Sequence, residues 1–387
     1  MYIKRVLENQ LRKTIKKFPI LGLVGPRQSG KTTLLQEIFN DFKYVNLEDI
    51  ELREFANNDP KGFLYTHQSP LIIDEAQRSP KLFSQLQVEV DNKKQMGSYI
   101  LSGSQNFLMM EGISQSLAGR ISIQTLLPLS YLEITALKKN ISDYSNLIFQ
   151  GQYPRMYHPP KLEPNEFYNS YLATYIERDL RKIINVTDLS TFQRFLRLCA
   201  GRVGQILNLS SLAQDTGITH NTARSWLSVL ESSYIIYLLQ PYYKNFNKRL
   251  IKSPKIYFYD TGLASWLLNI EKLEQVGTHF ASGGLFENLV ISEYLKNTFN
   301  QGKRPQSYFW RDQQQREIDL IIDRTPLHAI EIKSGKTISS SYFTTLKSWG
   351  KAVSENKKMK VVYGGNSHQK RSDIEALPWN KMREAWL

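Results

Sequence analysis

Short apolar runs alternate with amphipathic segments along the first third of the chain. The runs lie near residues 20–24, 43–47, 70–73, 98–102 and 121–126, and several of them are separated by stretches with helical spacing of apolar residues. Strands separated by helices are typical of an α/β fold built on a parallel sheet. The pattern therefore predicts an α/β domain over residues 1–130.

Apolar residues also recur at helical spacing before the first of these runs. They are Ile3, Val6, Leu7, Leu11, Ile15 and Phe18, and they lie among lysines and arginines. This spacing predicts an amphipathic helix that packs on the first domain. A helix lying on a membrane surface is the less favoured alternative.

The periodicity becomes mainly helical from Tyr131 to about Ala200. The Pro-rich stretch GQYPRMYHPP at 151–160 interrupts it. Such a stretch indicates a hinge or a domain boundary. We expect a helical linker or lid over residues 131–200.

Residues 201–260 carry the pattern of a helix-turn-helix. Leu212 and Ala213 belong to one short helix, Gly217 marks the turn, and Ala223 and Trp226 belong to a second helix. This arrangement predicts that the second helix presents outward the residues His220, Asn221, Thr222, Arg224 and Ser225.

A basic segment between two strand-like runs follows the helix-turn-helix. Residues 241–255 contain no acidic residue, and their basic residues include Lys244, Lys248, Arg249 and Lys252. Such a segment predicts the wing of a winged helix, suited to contacts with DNA phosphates. A winged helix that contacts only proteins is the alternative.

The last part of the chain, residues 261–387, predicts a small α/β unit that carries acidic residues. A helix over 283–297 bears Glu287, and Asp319 lies in the strand-like run EIDLII. Glu331 and Lys333 are two residues apart in a strand, so their side chains share one sheet face. Such a group of acids and a lysine can bind Mg2+ and activate water against a phosphodiester. Charges on the solvated face of an alternating strand are the alternative.

The strongest chemical signal is the segment GPRQSGKT at residues 25–32. It fits the pattern G-x-x-x-x-G-K-[ST], it follows an apolar run, and it opens a helix-like stretch. We expect main-chain N–H groups and Lys31 to hold ATP phosphates, and the Thr32 hydroxyl to hold Mg2+. The predicted nucleotide-binding residues are Gly25, Pro26, Arg27, Gln28, Ser29, Gly30, Lys31, Thr32, Thr33 and Asp74.

A second nucleotide motif, LIIDEAQ, occupies residues 71–77. Asp74 follows a buried-strand pattern at the edge where ligands of α/β sheets bind, so we expect it to hold Mg2+. Glu75 is placed to polarise the attacking water. Ser104, with Ser102 or Gln105 as alternatives, is a candidate sensor of the γ-phosphate; an ordinary turn explains it equally well.

Arg120, in the run SLAGR just before the fifth strand, is a candidate for the stabilisation of transition-state charge on a neighbouring subunit's nucleotide. A surface arginine is an equal alternative at this position.

The formal net charge of the chain is +14, which favours nucleic acid, and duplex DNA first, as a partner. The single cysteine, Cys199, suits a reducing cytoplasm. No apolar run approaches the ~20 residues that a membrane span needs, so no membrane partner is expected.

A set of segments stands together in one order: GPRQSGKTTLL, LIIDEAQ, LSGSQ, SLAGR, GQYPR, YIERDL, KSPKIYFYDTGLA, LFENLV, EIDLII and EIKSG. With these segments, nearly the whole chain resembles the prokaryotic AAA+-type ATPases that carry an N-terminal ATPase domain and a C-terminal domain of unknown function. The resemblance implies a winged helix followed by a restriction-endonuclease-like fold of the PD-(D/E)XK kind. The small lid with a second sensor arginine that is usual in AAA+ proteins is not evident in this sequence.

The resemblance also implies roles for matching residues. Lys31, Thr32, Asp74 and Glu75 would serve ATP hydrolysis. Glu287, Asp319, Glu331 and Lys333 would form the nuclease-like site, with the three carboxylates as metal ligands.

Two functions follow as hypotheses. The first is a Mg-ATP-hydrolysing enzyme that acts on DNA and whose nuclease activity stays open. The second is a nucleotide-gated module that binds DNA or a protein and performs no phosphodiester chemistry. The possibility of a homo-oligomer stays open in both.

Overall fold

The apolar runs of the first third become the strands of one parallel sheet. A computed structural model describes residues 2–104, 116–137, 141–174, 188–242, 253–371 and 373–387. The strands are β1 (Ile20–Val24), β2 (Lys43–Asn46), β3 (Leu71–Asp74), β4 (Tyr99–Gly103) and β5 (Ile121–Thr125). Their order is β2-β3-β4-β1-β5, and all four pairings are parallel. The predicted parallel α/β sheet is confirmed.

Helices cover this sheet because β1, β3 and β4 are buried at every position and need apolar partners on both faces. The helices are α1 (Glu8–Thr14), α2 (Lys31–Ile38), α3 (Ile50–Asn58), α4 (Pro60–Thr66) and α5 (Pro80–Lys93). On one face, Leu7, Leu11 and Ile15 share a core with Leu21 and Leu34. The N-terminal amphipathic segment therefore packs on the first sheet.

Along the chain, a helical region follows the strands of this sheet and precedes the C-terminal elements. It contains α6 (Tyr131–Ala136), α7 (Tyr144–Gln150), α8 (Pro164–Tyr171) and α9 (Leu189–Ala200), and a 3-10 turn at Pro154–Tyr157. Cys199 is a buried thiol within α9.

The helix-turn-helix pattern gives two consecutive helices, α10 (Leu209–Thr216) and α11 (His220–Ser232). Gly217, in the left-handed region with φ 81°, ends the first helix. Thr219 caps the second helix, because its hydroxyl accepts from the N–H of Thr222 at 3.1 Å. A hairpin of β6 (Ile236–Pro241) and β7 (Lys255–Phe258) follows.

The C-terminal part builds a second, mixed sheet that includes this hairpin. The elements are α12 (Thr261–Leu267), α13 (Ser282–Asn300), β8 (Ser307–Arg311), β9 (Glu317–Ile322), β10 (Leu327–Lys333), α14 (Thr344–Ala352), β11 (Lys357–Tyr363), β12 (Gln369–Arg371) and β13 (Ile374–Pro378). The strand order is β12-β13-β11-β10-β9-β8-β6-β7. The hairpin joins this sheet because β6 pairs in parallel with β8, with Gln240 opposite Tyr308.

Helix α13 lies between the two sheets and is buried on most of its surface. It packs against β5 of the first sheet and against β7 and β10 of the second. Among the described residues, no helix is long and apolar enough to cross a membrane.

Candidate nucleotide site and acidic cluster

The loop between β1 and α2 is shaped by two glycines. Gly25 has φ 149°, and a Cβ there would overlap the carbonyl oxygen of Leu126. Gly30, with φ 91°, is the N-cap of α2. Both conformations are ones that residues with a side chain rarely adopt, so the loop between them needs glycine at these positions. The loop consequently ends at the N-terminus of α2, which favours anions.

Lys31, the first residue of α2, places a buried ammonium group under this loop. Its Nζ donates to the carbonyl oxygens of Gly25 and Pro26, each at 2.9 Å. Burial lowers the pKa of Lys31 to about 8, although the charges of Glu75 and Asp74 oppose this shift. Main-chain carbonyls therefore hold the cation at the mouth of the anion-binding loop.

Asp74, at the end of β3, accepts hydrogen bonds from four polar groups. Its Oδ2 accepts from the Thr32 hydroxyl at 2.6 Å and from the Tyr44 hydroxyl at 2.9 Å. Its Oδ1 accepts from the N–H of Glu75 at 3.0 Å and from the Ser102 hydroxyl. A hydroxyl and a carboxylate side by side are the oxygen ligands that Mg2+ prefers, so the donor set fits this ion.

Glu75 lies just beyond β3 with a backbone φ of 52°. Its Oε2 accepts from the Ser104 hydroxyl at 3.3 Å and from the side-chain amide of Gln77. The same amide lies 3.3 Å from the Ser104 oxygen. The structure thus places Ser104 beside Glu75 and Ser102 beside Asp74, whereas Gln105 lies outside the described residues.

Lys31, Thr32, Asp74 and Glu75 open onto a cavity of about 770 Å³. This volume is within the range of roughly 300–1,000 Å³ that small-ligand sites occupy. Tyr2 and Arg5 contribute to its wall from the N-terminus, and Pro154, Arg155 and His158 from the stretch after α7. From the loop and its surroundings it is lined by Arg27, Gln28, Ser29, Gly30, Lys31, Thr32, Thr33, Asp74 and Glu75. Eight of the ten predicted nucleotide-binding residues therefore line one cavity, and Gly25 and Pro26 are not in its lining.

Arg5 is a cavity residue that the sequence pattern did not single out. It is buried, donates to the carbonyl oxygens of Ser29 (2.8 Å) and Leu127 (2.7 Å), and pairs with Glu133 at 3.0 Å. It therefore ties the N-terminal segment to the phosphate loop and to α6. Two further residues were also missed: Arg155 lines the cavity, and Gln77 contacts Glu75. The segments GQYPR and LIIDEAQ, which contain them, could have indicated both.

Arg120 lies away from this cavity. Its guanidinium makes two contacts of 2.7 Å with the carboxylate of Asp91 on α5. Both side chains are substantially exposed. In this chain Arg120 forms a surface ion pair, and a role at a neighbouring subunit's nucleotide stays a prediction.

A second group of charged side chains gathers where α13 meets β9 and β10. Lys333 Nζ lies 2.7 Å from Glu331 Oε1 and 3.6 Å from Asp319 Oδ2. Asp319 Oδ2 also accepts from the N–H of Ile332 at 2.7 Å. Glu287 approaches from α13, and the structure brings together all four residues predicted for the nuclease-like site.

Two further residues complete what we call the acidic cluster: Glu287, Glu317, Asp319 and Glu331 with Lys255 and Lys333. Lys255 Nζ lies 2.8 Å from Glu287 Oε1, forms an ion pair with Glu317, and lies 3.8 Å from Asp319 Oδ1. Glu317 could have been found from the sequence, because it lies two residues before Asp319 in a strand and therefore shares its sheet face. Lys255 could not be placed by any local pattern.

Burial and like charges shift the pKa values in this cluster. Burial and the charge of Asp319 raise the pKa of Glu331 to about 8. Burial alone would lower the pKa of Lys255, but the charges of Glu287, Asp319 and Glu317 together outweigh it and raise that pKa. Lys255 is therefore a firmly held cation.

The expected DNA-contacting residues divide into two groups. On α11, His220, Asn221, Arg224 and Ser225 are exposed, and Thr222 is half-buried beside Thr219. Lys244, Lys248, Arg249 and Lys252 lie in residues 243–252, outside the described part of the chain. The exposed face of α11 is available to a partner.

Three family models match successive parts of this chain. Residues 17–135 match a model described as an AAA domain. Residues 141–274 and 282–382 match two models described as domains of unknown function, DUF8612 and DUF4143.

Two mycobacterial proteins are similar to most of the chain. The uncharacterised proteins Rv2008c of Mycobacterium tuberculosis and Mb2031c of Mycobacterium bovis are each 30% identical over 337 residues. The match covers 86% of this chain and 74% of each relative.

Solved structures resemble the chain more distantly. The Walker-type ATPase PABY2304 of Pyrococcus abyssi is 14% identical with a TM-score of 0.47, over 69% of this chain and 96% of that one. AMPPCP-bound DnaA from Aquifex aeolicus is 13% identical with a TM-score of 0.29, over 58% and 86%.

Proposed function

Because this chain belongs to the family of AAA-domain proteins that includes Rv2008c and Mb2031c, we propose that it hydrolyses Mg-ATP and couples the nucleotide cycle to binding of duplex DNA. The single observation that carries the ATPase is the contact between Thr32 and Asp74 beside Glu75 and Lys31. These are the groups that phosphoryl transfer requires: a metal site, a water-orienting carboxylate and a cation for the phosphates.

Each side chain has a separate task in this proposal. Lys31 leaves its carbonyl partners to contact the β- and γ-phosphates. Glu75 orients the attacking water, and Ser104 and Gln77 hold the Glu75 carboxylate in place. Mg2+, held by Thr32 and Asp74, would neutralise charge on the phosphates.

A route for coupling leads from the cavity to α13. Pro154 and Arg155 in the cavity wall follow Gln152, whose side-chain amide donates to Glu293 Oε1 of α13 at 2.6 Å. Lys296 of α13 contacts both Gln152 and Glu293. A nucleotide that displaces the 151–158 segment would thereby act on α13 and change the angle between the two sheets.

DNA binding is supported by the net charge of +14 and by the exposed α11. In the proposal, α11 is the recognition helix of a winged helix, and the 241–255 segment is its basic wing. Arg224 and Asn221 would then contact the duplex.

The ATPase is tested by measuring ATP turnover of the full chain with and without duplex DNA. Lys31→Ala should abolish turnover, while Lys17→Ala, which removes an exposed lysine, should retain it. Unchanged turnover in Lys31→Ala would refute the assigned nucleotide site.

Coupling is tested with Gln152→Met, which removes the contact with α13. It should reduce DNA stimulation of turnover. Gln150→Met is the matched control, because the Gln150 amide donates instead to the carbonyl of Met156 within its own segment, at 2.9 Å. Equal stimulation in both variants would refute this route.

DNA binding is tested through its salt dependence. Loss of one phosphate contact in Arg224→Ala should reduce the slope of log affinity against log salt by about 1. Arg194→Ala, an equal charge change at an exposed position of α9, should leave the slope unchanged. The absence of DNA binding at low salt would favour a protein partner.

The second candidate function is an ATP-gated DNA-binding module that cuts nothing. The observation that favours it is that lysines already contact the carboxylates of the acidic cluster. Comparing DNA nicking by the native chain and by Lys333→Ala, with Mg2+ or Mn2+, decides between the two: products that disappear in the variant support cleavage.

A further inference from the structure

Strand β7 directs two side chains at the same carboxylate. Lys255 and Tyr257 are two residues apart and therefore share a sheet face. Both donate to Glu287 Oε1, Lys255 at 2.8 Å and Tyr257 through its hydroxyl. A helix carboxylate is thus held by a strand cation and a strand hydroxyl.

Three carboxylates of the acidic cluster lie as close together as metal ligands do. Oxygen atoms of Glu287, Glu317 and Asp319 all lie within 4.8 Å of one another. Ionised carboxylates at this separation repel each other unless a cation lies among them. In this chain that cation is the Lys255 ammonium, which contacts all three groups.

We infer that the Lys255 ammonium takes the place of a divalent cation and closes the acidic cluster of this chain to Mg2+. The inference deepens the proposed function, since it rests on the assignment of the cluster as the nuclease-like site. A Mg2+ ion binds its oxygens at about 2.0–2.1 Å. An ion among the same three carboxylates would overlap an ammonium nitrogen that lies 2.8 Å from Glu287.

Lys255 is fixed in this position by its surroundings. Its side chain is only 2% exposed, compared with 35% for Lys333. Its strand pairs with β6, and its ammonium lies 5.7 Å from the centre of the Phe309 ring. Moving the ammonium aside would leave the carboxylate of Glu287 without its cation.

Glu331 contributes a further buried carboxyl group to the acidic cluster. Glu331 is 6% exposed, and its Oε2 is buried and has no hydrogen-bond partner among the described residues. Its other oxygen contacts Lys333 at 2.7 Å. Once Lys255 is removed, Glu331 Oε2 adds to the potential metal ligands of the cluster.

Manganese binding to the nucleotide-free full chain tests the inference, with Mn2+ as the probe and electron paramagnetic resonance as the readout. The native chain should show no Mn2+ site that depends on Asp319. Lys255→Met should gain one site per chain, at least tenfold tighter than any site of the native chain. The double variant Lys255→Met with Asp319→Asn should lose it.

Lys333→Met is the matched control, because it removes the neighbouring lysine and leaves the Lys255 contacts in place. It should gain no comparable site. An equal gain in both variants, or no gain in folded Lys255→Met, would overturn the inference. So would a Mn2+ site of the native chain that disappears in Asp319→Asn.

Should Lys255→Met fail to fold, the comparison of the native chain with Asp319→Asn still decides whether the cluster is closed. Mn2+ binding is measured without ATP turnover. A wrong ATPase assignment would therefore be detected separately, by unchanged ATP turnover in Lys31→Ala. A Lys255→Met chain that binds Mn2+ but cuts no DNA would support cation replacement and refute only the nuclease-like assignment.

Discussion

The nucleotide site and the acidic cluster hold buried lysines in opposite ways. Lys31 rests on two main-chain carbonyls, and burial lowers its pKa. Lys255 lies among three carboxylates, which outweigh burial and raise its pKa. The Lys31 ammonium therefore contacts neutral carbonyl groups, whereas the Lys255 ammonium contacts carboxylates that serve as its counter-ions.

The largest expected effect is on the free energy of unfolding, to which the two buried lysines should contribute with opposite signs. Lys255→Met should lower the free energy of unfolding by about 3–5 kcal/mol, since it leaves buried carboxylates unpaired. Lys31→Met should raise that free energy by about 1–3 kcal/mol, since it removes a cation whose burial is unfavourable. Chemical unfolding of the nucleotide-free chains measures both. Equal losses of unfolding free energy in the two variants would contradict this difference between the two sites.

The next effect concerns chemistry at the nucleotide site alone. Glu75→Gln should lower kcat for ATP about 100–1,000-fold, because the amide orients and polarises water poorly. The Kd of a non-hydrolysable ATP analogue should change little. Glu51→Gln, at an exposed position of α3, is the control for a lost carboxylate. A parallel loss of binding and turnover in Glu75→Gln would contradict the assigned role.

Each site also has a tyrosine that donates to a carboxylate, which allows a finer comparison. Tyr257→Phe leaves Glu287 short of a buried donor and should lower the free energy of unfolding by about 1.5–3 kcal/mol. Tyr44→Phe affects a half-buried hydroxyl beside Asp74, which water can replace, so its cost should be clearly smaller. Urea unfolding compares them; a larger loss in Tyr44→Phe would contradict this order.

The smallest effect is a pH dependence confined to the nucleotide site. Burial lowers the pKa of Lys31 to about 8, and phosphate binding needs its protonated form. Raising the pH above 8 removes that proton, so the Kd of an ATP analogue at saturating Mg2+ should rise up to about tenfold per pH unit. Calorimetry between pH 7 and 9 measures it. Lys31→Arg, which keeps its charge, should give a flat profile.

Much of the nucleotide site follows from sequence because its parts are local. Gly25 to Thr32 form one continuous segment, which comprises the loop after β1 and the first two residues of α2. The carboxyl ends of neighbouring parallel strands must bring Asp74, Ser102 and Ser104 to the same sheet edge. Strand alternation likewise puts Glu331 and Lys333 on one face.

The residues that sequence reasoning missed reach the sites through long-range packing. Arg5 pairs with Glu133 across 128 residues, and Lys255 with Glu287 across 32. Tyr44 reaches Asp74 only because β2 and β3 are neighbours in the sheet. No periodicity within one segment specifies such a partner. For Lys255 the basic segment around it favoured a surface role, and the pairing of β7 within the second sheet buried it instead.

The pairing of β6 with β8 has a mechanical consequence. Gln240 and Pro241 pair in register with Tyr308 and Phe309, so the hairpin after α11 forms one edge of a sheet that also carries Asp319 and Glu331. When such a sheet rotates as one unit, every element attached to it turns by the same angle. Under the proposed coupling, a nucleotide-driven rotation of this sheet would move α11 and the carboxylates together and would leave their relative orientation unchanged.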